Sequence, residues 1–130
     1  MTQPPNKQTQ LNKPLSAEFL NHLTNIVGEE NMIISGSRLK RNSQDAYWYS
    51  PVLKRQLADK SADVIVEPQT QQQLSDVISA TVGERIPIVP RGAGTGNYGQ
   101  SIPIYGGVLI STKKLNQILE LTPDLSLIHI

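Results

Sequence analysis

The sequence predicts an α+β domain that opens with an α/β-like βαβ unit, on three observations. Ala62–Val66 and Ile86–Val89 are short β-branched runs of strand character. Between them Leu74, Val77, Ile78 and Val82 recur at helical spacing. Strand, helix and strand so close together fit a right-handed crossover between parallel strands. The third observation is a glycine-dense loop directly after the second strand, at the end of a parallel sheet where ligands usually bind.

Each element follows from local signals. Residues 1–14, MTQPPNKQTQLNKP, are polar and rich in Gln, Asn and Pro, and read as a flexible leader. Residues 15–61 form an N-terminal helix and loop segment. Its helix starts at an N-cap Ser16, carries Phe19, Leu20, Leu23, Ile26 and Val27 on one stripe, and closes at Gly28. His22 lies on this helix; of a ligand or base role and a solvated face, the solvated face is the reading, because no partner stands near it in sequence. Residues 32–61 mix a short apolar run, a basic patch at Arg38, Lys40 and Arg41, and the aromatic cluster Tyr47, Trp48 and Tyr49. The basic patch either meets phosphate or is a solvated loop, and the aromatics either line a ring pocket or anchor a long loop; the plainer reading is preferred for both.

From residue 62 the pattern is regular. Pro68 stops the first strand, Thr70 caps the next helix with Gln73 three residues on, and Gly83 is placed to end it as the C′ residue. Gly107–Ser111 reads as a further strand, and Leu115–Leu121 as a turn and another strand. Residues 62–124 are therefore one domain segment. The apolar ending Leu-Ser-Leu-Ile-His-Ile130 would leave a sheet edge without its neighbour, so the domain is expected to be incomplete and residues 125–130 to be a non-native tail, with no role for His129.

Composition excludes several function classes. Twelve Lys and Arg against 11 Asp and Glu give a net charge of +1, which is no footprint for nucleic acid. With no cysteine there is no disulfide and no thiol chemistry. Two distant histidines without acidic neighbours at ligand spacing make no metal site. No apolar run reaches membrane-spanning length, and a cytoplasmic location is expected.

The loop PRGAGTGNYGQ overlays two phosphate-binding signatures. Gly94 to Gly99 satisfies G-x-G-x-x-G, and Gly94 to Ser101 is a P-loop with Gln100 in place of lysine. Both signatures need a helix directly after the glycines, so that its N-terminal amides meet the phosphate. Here Pro103 and Gly106-Gly107 oppose a helix, and the pattern resumes as a strand. The loop instead offers a backbone with few side chains, which a ligand can approach closely and which can turn several N–H groups inward as a nest. Arg91 adds a permanent, forked positive charge. That combination suits a diphosphate held by a loop; the rival reading is an ordinary glycine-rich turn with Arg91 in a salt bridge.

These residues resemble a known family. Ala62-Asp-Val-Ile-Val-Glu-Pro68, a helix, Ile86 through the PRGAGTG loop to Gly96, Gly107-Val-Leu-Ile-Ser111 and Leu115-Asn-Gln-Ile118 together are similar to the FAD-linked oxidases of the vanillyl-alcohol oxidase and p-cresol methylhydroxylase superfamily, above all the glycolate oxidase D-subunit and D-lactate dehydrogenase branch. The resemblance covers about residues 45–124. It implies a PCMH-type FAD-binding domain in which Arg91, Gly92, Ala93, Gly94, Thr95 and Gly96 wrap the FAD diphosphate, while Asn97, Gly99 and Gln100 continue along the cofactor. Some relatives attach flavin through a histidine in this loop; the matching place here is Thr95, so FAD is expected to be non-covalent.

The implied activity is an FAD-dependent oxidation of a small 2-hydroxy acid by hydride transfer to flavin N5, with no catalytic residue assignable in this chain and the electron acceptor left open. Two alternatives remain: a non-catalytic nucleotide- or phosphate-binding module, and the FAD domain of an enzyme like UDP-N-acetylenolpyruvylglucosamine reductase.

Overall fold

The computed structural model describes residues 14–46, 50–122 and 127–129. The leader up to residue 13 and the aromatic cluster Tyr47–Tyr49 lie outside the described residues, as do residues 123–126 and 130.

The core is a four-stranded sheet covered on both faces. Its strands are β1 (Met32–Ile33), β2 (Val64–Val66), β3 (Ile88–Arg91) and β4 (Val108–Ser111), in the order β1-β2-β4-β3. β4 runs parallel to both β2 and β3, and β1 is antiparallel to β2. β2 and β4 are buried along their whole length, which is why they read as unbroken apolar runs. Alternate residues serve opposite faces. Val64, Val66, Val108 and Ile110 pack with Phe19, Leu23, Val27 and Val77 from the helices α1 (Ala17–Val27) and α4 (Gln71–Gly83). On the other face Ile65 and Leu109 meet Ile33, Ala62 and, from helix α2 (Gly36–Asn42), Leu39. There are also a short helix α3 (Pro51–Leu57), single 3-10 turns at Glu29–Asn31 and Thr112–Lys114, and a separate antiparallel pair, β5 (Glu120–Thr122) and β6 (Leu127–His129).

Local chemistry sets the helix ends. The Ser16 hydroxyl accepts from Phe19 N–H at 3.1 Å and Gly28 ends α1 with φ 87°. Thr70 Oγ1 accepts from Gln73 N–H at 3.1 Å, and Gln73 Oε1 reaches back to the N–H of Gln69 instead of Thr70. Two expectations need correction here. α4 runs through Gly83, and the left-handed residue that turns the chain is Arg85, at φ 56°. The turn closes through backbone bonds from Arg85 N–H to Val82 O and Ile86 N–H to Thr81 O, which hold a non-glycine residue in a conformation it otherwise avoids. β3 begins at Ile88, two residues later than its apolar run, and it is a half-buried edge strand, because β4 and not β3 sits beside β2. The βαβ unit β2–α4–β3 is thus parallel as expected but spans one strand position, and β4 later fills the gap.

Candidate cofactor-binding site

The strand order creates the site. β3 and β4 are parallel neighbours, with Ile88 level with Val108 and Arg91 level with Ser111. Residues 92–107 must therefore travel from the C-terminal end of β3 back to the start of β4. Parallel neighbours usually achieve this with a helix. This return contains none: turns and bends lead to a turn at residues 100–101, and Ile102 and Pro103 then plunge into the core. The absence of a helix after Gly99 agrees with the pattern around Pro103 and Gly106-Gly107. Gly92, Ala93, Thr95, Asn97, Tyr98 and Gln100 are exposed, and Arg91, Gly94, Gly96 and Gly99 are half-buried.

Within this loop the left-handed conformation occurs at Gly94, φ 72°, and Gly99, φ 78°, not at every glycine. Among the described residues, the N–H groups of residues 93–97 have no hydrogen-bond acceptor. Five successive amides at the mouth of a parallel sheet match what an anionic ligand needs from a backbone. A second feature concerns Gly92. Its φ lies outside the left-handed range, and a Cβ there would meet nothing within 4 Å. Neither backbone conformation nor packing asks for glycine at 92.

Arg91 points into the loop's own base. Its Nη1 donates to the carbonyl of Gln44 at 2.6 Å. The guanidinium lies against Gly94, where an added Cβ would stand 2.0 Å from Nη2 and 2.3 Å from Cζ. Ala46 N–H donates to Gly96 O at 3.1 Å, so residues 44–46 and the loop are joined twice. That segment is itself fixed: buried Ser43 donates its hydroxyl to Leu39 O at 2.8 Å and accepts from Ala62 N–H at 3.0 Å. Gln100 folds back, its Oε1 accepting from Tyr98 N–H at 3.2 Å and its amide lying over Gly96.

The far end of the return is pinned at Gly107. Its N–H donates to Asp63 Oδ2 at 2.6 Å and its carbonyl accepts from Asp63 N–H at 2.9 Å. With φ 80° and the carbonyl oxygen of Pro87 2.2 Å from where a Cβ would be, this position admits only glycine. Beyond β2, the buried carboxylate of Glu67 is bracketed by Arg38 at 3.2 Å and Lys114 at 3.6 Å. Lys114 also donates to Asn31 Oδ1, which Gln69 Nε2 reaches at 3.0 Å. Arg38 of the basic patch is thus an ion-pair partner of Glu67, and Lys40, Arg41 and His22 are exposed.

The model of the FAD binding domain matches residues 62–130, more than half of the chain. The chain belongs to the FAD binding domain family. FAD is accordingly its cofactor, and the matched region holds β2, α4, the glycine loop and β4. The chain is 37% identical over 62 residues to the glycolate oxidase subunit GlcD of Bacillus subtilis, covering 48% of this chain and 13% of that protein. It is 25% identical over 105 residues to the mitochondrial D-2-hydroxyglutarate dehydrogenase of Arabidopsis thaliana, covering 81% of this chain and 17% of that protein. The chain therefore spans less than a fifth of either relative. Its fold matches that of p-cresol methylhydroxylase with a TM-score of 0.63 at 18% identity, over 85% of this chain and 21% of the other. The architecture is that of a PCMH-type FAD-binding domain.

Arg91 to Asn97, Gly99 and Gln100, singled out from the sequence, lie together in the last residue of β3 and the loop that follows it. Sequence reasoning missed Ser43, Gln44 and Ala46, whose segment holds that loop from 47 residues before Arg91 in the case of Gln44. Gln44 and Ala46 contribute only backbone atoms, so no residue-type signal marks them. Among the described residues no helix is long and apolar enough to cross a membrane.

Proposed function

We propose that the loop of residues 91–100 holds a non-covalently bound FAD, with its backbone amides at 93–97 meeting the diphosphate, and that the protein oxidises a small 2-hydroxy acid. The observation that carries the site assignment is the loop itself: a helix-free return whose amides at 93–97 have no acceptor among the described residues, and a glycine at 92 that packing does not require. Ala93, Gly94, Thr95, Gly96 and Asn97 direct N–H groups to the anion, Gly92 admits it, and Gly99 and Gln100 shape the far wall. When bound, FAD supplies a hydride acceptor at flavin N5. The substrate class rests on the relatives, which are named for glycolate and D-2-hydroxyglutarate, both 2-hydroxy acids. The loop that follows Arg91 binds and orients the cofactor; no group of this chain is assigned the substrate's proton.

The test uses protein expressed from its complete gene. It should purify with FAD released intact by acid, because Thr95 offers no flavin link, and 2-hydroxy acids should bleach the flavin absorbance. Protein that lacks FAD and cannot be reconstituted with it refutes the site. Flavin that stays oxidised with every 2-hydroxy acid tried refutes the substrate class alone.

A further inference from the structure

Arg91 has a role that the simple reading of a cationic loop does not contain. We infer that Arg91 is a positioning residue, whose guanidinium seated between Gly94 and the Gln44 carbonyl fixes the shape of the glycine loop and acts on FAD only through that shape. The inference rests on the FAD reading of the loop. Three observations carry it. The Nη1 contact to Gln44 O, at 2.6 Å, is a short charge-assisted bond from the last residue of β3 to a different segment. The face of Gly94 that would carry a Cβ is filled by the guanidinium, 2.0 Å from Nη2. The bond from Ala46 N–H to Gly96 O ties the loop to the same segment on the other side of Gly94. Arg91 and Gly96 thus act as two feet of one arch, and Gly94 at φ 72° is the turn between them.

This geometry needs the flat fork of arginine. A lysine keeps the charge but ends in a compact ammonium on a flexible stem, and it does not fill the slab under Gly94 while bonding a carbonyl beyond it. The two roles for Arg91 therefore separate cleanly. A charge that meets the diphosphate survives in Arg91→Lys; an arch does not.

The experiment titrates FAD into apoprotein expressed from its complete gene, at low and high salt, for wild type, Arg91→Lys, Arg91→Ala and Gly94→Ala. Amide hydrogen exchange at Ala46 is followed in the same proteins without FAD. The expected result is that all three variants bind FAD about tenfold or more weakly, the loss of a hydrogen bond to a charged group. Their salt dependence stays that of wild type, and the Ala46 amide exchanges faster in each. Added methylguanidinium restores binding to Arg91→Ala and not to Gly94→Ala, whose methyl closes the slot. Wild-type affinity in Arg91→Lys, or a shallower salt dependence in Arg91→Ala, overturns the inference and leaves the FAD reading standing. Faster Ala46 exchange in Arg91→Lys, with wild type unable to bind FAD, upholds the arch and removes the cofactor reading. Should Arg91→Ala not fold, Arg91→Lys and Gly94→Ala decide the matter between them.

Discussion

Gly92→Ala is the sharpest probe of the cofactor loop, because its effects on stability and on binding are expected to have opposite signs. The position needs no left-handed φ and has no atom within 4 Å of an added Cβ. Replacing glycine there reduces the freedom of the unfolded chain, which stabilises a protein by about 0.4–1 kcal/mol where the native conformation suits alanine. The methyl group then lies where the diphosphate is proposed to touch the backbone. One methyl forced into a filled contact costs about 1–3 kcal/mol. That corresponds to a loss of FAD affinity between about fivefold and about 150-fold. Urea denaturation of the FAD-stripped protein reads the first effect, and quenching of flavin fluorescence reads the second. An apoprotein no less stable than wild type with FAD affinity unchanged would refute the reasoning, since the Gly92 backbone would then lie away from the ligand. A destabilised apoprotein would show that glycine at 92 serves the fold after all.

Three further outcomes follow from the packing. Gly107→Ala brings a Cβ against the Pro87 carbonyl oxygen at a φ of 80°, and should lower stability by about 2–4 kcal/mol in denaturant titration, with no specific effect on FAD until the protein unfolds. Ser43→Ala leaves the buried N–H of Ala62 without its acceptor and should cost about 1–3 kcal/mol, with faster exchange of that amide as the direct check. Glu67→Gln removes the carboxylate between Arg38 and Lys114. Both cations keep part of their hydration, at 54% and 36% side-chain exposure, so a loss of about 1–2 kcal/mol is expected, read as a shift of the urea midpoint.

The parts of this molecule legible in its sequence are those where one residue type has one physical reason to be present. Ser16 and Thr70 cap helices where their hydroxyls were expected to, and within the runs at 62–66 and 107–111 Val64–Val66 and Val108–Ser111 are buried strands because both faces of the sheet are covered. The glycine loop was legible because Pro103 and the Gly106-Gly107 pair oppose a helix more strongly than G-x-G-x-x-G calls for one. What stayed hidden was tertiary. The register that places β4 between β2 and β3 depends on side-chain packing across both faces, and nothing local distinguishes it from direct pairing of β2 with β3. Arg85 bends the chain where Gly83 seemed the natural choice, since the surrounding backbone bonds outweigh the cost of its φ. Arg91 looked like a ligand's counter-charge, yet the group it meets here is a backbone carbonyl supplied from 47 residues away.

A loop that binds an anion without a helix must solve a problem that a helix solves for free. At a helix N-terminus the first four N–H groups are orphaned by the geometry of the helix, and the same geometry keeps them aligned. Here the five amides of residues 93–97 lie in a stretch without regular structure and have no acceptor among the described residues, so no helical geometry aligns them. Alignment has to come from outside, and the structure shows where. Ile102 and Pro103 anchor one flank in the core, Asp63 clasps Gly107 at the far end, and the Ser43–Ala46 segment grips Arg91 and Gly96 at the near end. The donors and the rigidity therefore reside in different parts of the chain. A consequence can be measured: FAD should protect residues 93–97 from amide exchange strongly, while Ala62 and Gly107, already held by protein groups, should change little on binding. Equal protection across all of these sites would mean that FAD orders the struts as well as the loop, and the preformed cradle described here would be wrong.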